Sequence, residues 1–110
     1  MKTVNKSQLK QWLDTKEDLL LIDVLPKEDF QKQSIPGSIN VPFKGIDDFA
    51  NNVERHTKSK ADHIVVYCRN TQCDASKNAA KKLEAAGFTN VQAFEDGVEG
   101  WFGKTQSSAA

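Results

Sequence analysis

Runs of apolar residues with the length of strands alternate along this chain with segments of helical period, which predicts an α/β domain built on a mainly parallel sheet with helices on both faces. Three observations carry that prediction. Leu19-Leu20-Leu21-Ile22 and Ile64-Val65-Val66-Tyr67 are continuous apolar runs, the pattern of strands buried on both sides. Between and after them lie stripes at helical spacing, Ile46, Phe49, Ala50, Val53 and then Ala79, Ala80, Leu83. Finally, 110 residues suffice for one core and are too few for two.

The elements follow in order. Ser7 is placed to cap a short helix with Leu9, Trp12 and Leu13 on its buried face. The first long strand runs through Leu21-Ile22-Asp23-Val24, and Pro26 opens a helical turn over Lys27-Glu28-Asp29-Phe30 as its first residue. Pro36-Gly37 predicts a turn leading into a short strand at Ile39-Asn40-Val41. Gly45 bounds the next helix. The strand at Ile64 to Cys68 is followed by a helix from about Ala75 to Ala86, which Gly87 ends in a left-handed conformation while Phe88 packs back on it. Val91-Gln92-Ala93-Phe94 alternates as a strand, Gly97 and Gly100 flank a last turn ending at Trp101-Phe102, and residues 104–110 read as a flexible tail.

Composition excludes several functions. Fifteen basic and fifteen acidic residues cancel, so no long-range field selects nucleic acid or an anionic membrane. No apolar segment approaches the roughly 20 residues of a bilayer span, and Met1 to Lys6 lacks the apolar core of a secretory signal, so a cytoplasmic protein is expected. His56 and His63 stand at no ligand spacing to each other or to the two cysteines, so neither a metal nor another cofactor is expected.

The chemistry-bearing residue is Cys68. At the carboxyl tip of a buried strand, facing the first turn of the next helix, its sulfur is expected to meet unpaired N–H groups and the positive end of a helix dipole, which favour thiolate. The competing reading is a small core filler. Cys73, five residues on, is a candidate resolving thiol or another space-filling cysteine. Asp74 suits a helix cap, and Asp23 suits structural support through backbone hydrogen bonds.

Taken in order, Leu21-Ile22-Asp23-Val24, Ile35-Pro36-Gly37-Ser38-Ile39-Asn40-Val41-Pro42, Val65-Val66-Tyr67-Cys68-Arg69, Ala85-Ala86-Gly87-Phe88 and Glu95-Asp96-Gly97-Val98-Glu99-Gly100-Trp101 resemble a single rhodanese domain spanning residues 5–103. The resemblance implies a central five-stranded sheet and a sulfurtransferase. In it Cys68, as nucleophile, takes sulfane sulfur from thiosulfate, a polysulfide or a persulfide and hands it to a thiol or cyanide. It also implies a substrate-binding loop of Arg69, Asn70, Thr71, Gln72, Cys73, Asp74 and Ala75, with Arg69 either beside the anion or solvated. The loop, read as Cys68 to Ala75, is about two residues longer than is usual in that family. Leu25 replaces an arginine common there, and Gln33-Ser34 replaces Gly-His. Alternatives are a sulfur-carrier or regulatory protein-binding module without turnover, and a phosphatase or arsenate reductase, which would want an arginine where Asp74 stands.

Overall fold

The structure is a computed structural model that describes residues 2–43 and 48–103. Five strands form one sheet in the order β1-β5-β4-β2-β3, every neighbouring pair parallel: β1 (Lys2–Thr3), β2 (Leu20–Asp23), β3 (Ile39–Asn40), β4 (Ile64–Tyr67) and β5 (Val91–Phe94). The helices are α1 (Lys6–Asp14), α2 (Lys27–Lys32), α3 (Phe49–Glu54), α4 (Ala75–Ala85) and α5 (Gly97–Trp101).

Alternation along β4 divides the core into two layers. Ile64, Val66 and Cys68 face one, with Phe49 and Val53 of α3 and Ala79, Ala80 and Leu83 of α4. Val65 and Tyr67 face the other, with Leu9 of α1, Phe94 and Val98. All four β4 residues are buried, as the apolar run requires of a central parallel strand. The edge strand β1 had no sequence signal of its own. Two exposed residues pair with β5, and Val4 N–H extends the pairing by donating to Ala93 C=O at 3.1 Å.

Local chemistry accounts for most boundaries, with two corrections. Asn5, not Ser7, caps α1: its Oδ1 accepts the Gln8 N–H at 2.8 Å, and Ser7 lies inside the helix. Pro26 occupies the cap position of α2 and Lys27 begins it. Pro36-Gly37 turns as expected, with Gly37 at φ +89° and Ser38 N–H donating to Ile35 C=O. At the end of α4, Phe88 N–H donates to Leu83 C=O and Gly87 N–H to Glu84 C=O, the paired bonds of a Schellman motif. Of the helical stripe expected from Ile46, Phe49 and Val53 are buried in α3, whereas Gly45 and Ile46, like the expected tail 104–110, lie outside the described residues.

Tyr67 ties β4 to the Pro-Gly turn. Its buried hydroxyl accepts the Ile35 N–H at 3.0 Å and lies 2.9 Å from Ser38 Oγ. Tyr67→Phe would leave that buried N–H without its acceptor, a loss of about 2 kcal/mol, or roughly 10 °C in Tm. Thermal unfolding checks this, and a Tm within about 2 °C of the parent would contradict it.

Candidate active site

β4 ends at the carboxyl edge of the sheet, and the next residue is Cys68. In parallel α/β sheets this edge is where ligands bind. Six residues, Arg69 to Asp74, then lead into α4, so the loop stops one residue earlier than the expected Cys68-to-Ala75 span.

The loop is folded on itself. Asn70 organises it: its C=O accepts the Cys73 N–H at 3.1 Å, its Oδ1 accepts the Gln72 N–H at 3.0 Å, and its Nδ2 donates to Glu99 Oε1 at 3.1 Å. The first turn of α5 holds the other side, with Val98 N–H donating to Cys68 C=O and Glu99 N–H to Arg69 C=O, both at 3.0 Å. Gly97 permits this approach. It has φ +70°, and a Cβ there would lie 2.5 Å from the Arg69 carbonyl carbon and oxygen.

The expectation of a ready thiolate at Cys68 is corrected. Cys68 is 0% exposed, and its thiol is pushed up to about 11. Burial is the main cause, and the contact with Cys73 adds to it. The loop turns a carbonyl toward the sulfur, Cys68 Sγ donating to Cys73 C=O at 3.4 Å, while the Gln72 and Cys73 N–H groups bond to Asn70 within the loop. Ser76 works in the opposite sense. Fully buried in the first turn of α4, it brings its Oγ to 3.6 Å from the sulfur, and its hydroxyl and its N–H both favour the ionised form. The first turn of α4 therefore does face Cys68, and burial acts against it.

The remaining expected loop residues separate. Arg69 points to α2 and pairs with Asp29 at 3.2 Å. It lines a cavity of about 230 Å³ with Leu25, Asp29, Lys32, Val98 and Glu99, to which Cys68 contributes nothing. Thr71 and Gln72 are exposed, while Asn70, Cys73 and Ala75 are half-buried. Asp74 occupies the cap position of α4 but makes no side-chain cap bond, its carboxylate lying 3.9 Å from Lys77 Nζ. Asp23 is fully buried beside Tyr67, its Oδ1 accepting the Leu25 N–H at 2.8 Å and its Oδ2 having no hydrogen-bond partner among the described residues. His56 and His63 line a cavity with Leu19 and Leu20 at the amino ends of β2 and β4, the edge opposite Cys68. Sequence reading did not give Ser76, Gly97 and Glu99 these roles. Only Gly97 carried a usable signal, as a glycine inside a compact Gly-Trp segment.

Comparison with known proteins adds the family. The rhodanese-like domain matches residues 5–104. A putative sulfur carrier protein, YrkF of Bacillus subtilis, is 28% identical over 94% of this chain and 52% of its own length. YibN of Escherichia coli, an uncharacterized protein, is 38% identical over 84% of this chain and 62% of its own. The chain thus spans about half to three-fifths of the length of these two relatives. Among solved structures, BH2092 of Bacillus halodurans superposes with a TM-score of 0.80 at 25% identity over 92% of this chain and 71% of that one. A thiosulfate sulfurtransferase from Pseudomonas aeruginosa shares the fold, with a TM-score of 0.82 at 22% identity over 93% of this chain and 19% of that one.

Proposed function

The chain belongs to the rhodanese-like family, and from that premise we propose that it moves sulfane sulfur through a persulfide on Cys68. The observation that carries this reading is the placement of the Cys68 sulfur at the tip of β4, 3.6 Å from Ser76 Oγ in the first turn of α4. In the proposed cycle the loop moves so that the Cys73 carbonyl no longer accepts the thiol proton. The proton leaves to solvent, and the Ser76 hydroxyl and N–H stabilise the resulting thiolate. With thiosulfate, the thiolate attacks the outer sulfur, an S–S bond forms on Cys68, the donor's own S–S bond breaks, and sulfite departs with the electron pair. A thiol or cyanide then takes the terminal sulfur and returns Cys68 to thiolate.

A second reading, a sulfur carrier loaded by a partner protein, is favoured by one specific observation. Cys68 is sealed beneath its loop, so a free small anion meets no sulfur until something opens the site. Protein persulfide donors that dock on the loop rim would supply that opening.

Intact mass after incubation with thiosulfate or polysulfide tests the proposal. Gain of one sulfur atom, reversed by cyanide or dithiothreitol and lost in Cys68→Ser, is the expected result. Loading by persulfide proteins but not by thiosulfate would select the carrier. An unmodified mass with every donor would overturn both, and aryl phosphate hydrolysis abolished in Cys68→Ser would point to the phosphatase instead.

A further inference from the structure

We propose that Cys73 is a resolving thiol that converts the Cys68 persulfide into an intraloop disulfide and releases hydrosulfide, giving the domain a persulfide-reducing activity. This rests on the persulfide reading above and extends it.

Four features of the loop support the assignment. The Cys68 sulfur already touches the Cys73 backbone, 3.4 Å from its carbonyl oxygen. The Cys73 side chain packs against the same core layer that contains Cys68, and its thiol is close enough to oppose ionisation of its neighbour. The turn made by Asn70 holds Cys73 over the strand tip, with Cys73 N–H on Asn70 C=O and Gln72 N–H on Asn70 Oδ1. Cys73 is also half-buried where Cys68 is sealed, so a small reductant reaches the resolving thiol first.

Loading and resolution need the same movement of the loop. Cys68 is 0% exposed and its Sγ lies against the Cys73 carbonyl, so the loop movement that lets a sulfur donor reach Sγ also moves that carbonyl away from it. Once the carbonyl is displaced, the Cys73 sulfur attacks Sγ of Cys68. The Cys68–Cys73 bond forms, the bond from Sγ to the terminal sulfur breaks, and that sulfur leaves with the electron pair and the Cys73 proton as HS⁻. Cys73 is oxidised and the terminal sulfur reduced, so no outside oxidant is needed. A dithiol reductant then restores both thiols and is itself oxidised to a disulfide. A bridge needs Cβ atoms about 3.5–4.5 Å apart, and five residues of curled loop allow the adjustment.

The experiment loads wild type, Cys73→Ser and Cys73→Ala with polysulfide, removes excess donor, and follows intact mass and free sulfide with no reductant present. Wild type should lose its extra sulfur as hydrosulfide and finish two hydrogens lighter than the reduced chain, with peptide mapping locating the Cys68–Cys73 link. Both variants should keep the adduct roughly tenfold longer or more. Equal adduct lifetimes in all three proteins, or sulfide release without the mapped link, would overturn the resolving role and leave the persulfide reading standing. Adduct in none of them would overturn both.

Discussion

Gly97→Ala is expected to destabilise the domain by more than about 3 kcal/mol and to release the loop that seals Cys68. Two costs combine. A residue with a Cβ is strained at φ +70°, by about 1 kcal/mol. The larger cost is steric, because the added carbon would fall 2.5 Å from the Arg69 carbonyl and 2.7 Å from Asn70 N, and these are backbone atoms with no flexible end to swing aside. Relief requires α5 to move off the loop, which breaks the bonds from Val98 and Glu99 to the Cys68 and Arg69 carbonyls. Gly37→Ala is the control: φ is +89° but no described residue would meet the added carbon within 4 Å, so only the conformational cost of about 1 kcal/mol applies. Urea unfolding and the alkylation rate of Cys68 read the two effects. A Gly97→Ala midpoint no lower than that of Gly37→Ala would show that α5 does not hold the loop as described.

Asp23 should make stability depend on pH in the direction opposite to that of an ordinary paired carboxylate. Its carboxyl is raised from 3.8 to about 6, chiefly by burial, with the Leu25 N–H and the Tyr67 side chain pulling it back down and the Asp29 charge adding to the rise. A folded-state value above the unfolded one means the native protein holds the proton more tightly. The contribution is therefore complete below about pH 4 and is lost as pH rises through 6. At most about 3 kcal/mol is involved. Asp23→Asn is uncharged throughout and keeps an oxygen for the Leu25 N–H. Its stability relative to wild type should climb between pH 4 and pH 7 and level off above, gaining up to about 3 kcal/mol. Denaturant unfolding across that range measures the difference, and a flat profile would show that Asp23 Oδ2 finds compensation in its charged form.

Both predictions concern features that linear reading treated differently. Gly97 was legible as punctuation near a turn, yet its partner is the backbone of Arg69, 28 positions earlier, and no local pattern records such an approach. Asp23 was legible as structural support, and its Oδ1 does bond the Leu25 N–H two residues on. Its Oδ2 is buried with no partner among the described residues, which no residue type announces.

Hydrophobic period and turn chemistry were enough to specify the alternating strands and helices, the central position of β2 and β4, the Pro36-Gly37 turn, the Gly87 terminus and the location of Cys68 at a strand tip. Each of these depends on residues within a few positions of one another, where periodicity and backbone preference act directly. The edge strand β1, the choice of Asn5 over Ser7 as cap, the α5 clasp and the burial of Cys68 were decided only when distant segments met. Whether a sulfur at a helix N-terminus ionises turns on which backbone groups surround it and how much water is excluded. Here burial pushes the Cys68 thiol up, and the Cys73 carbonyl accepts its proton, against the Ser76 hydroxyl and N–H that favour the ionised form.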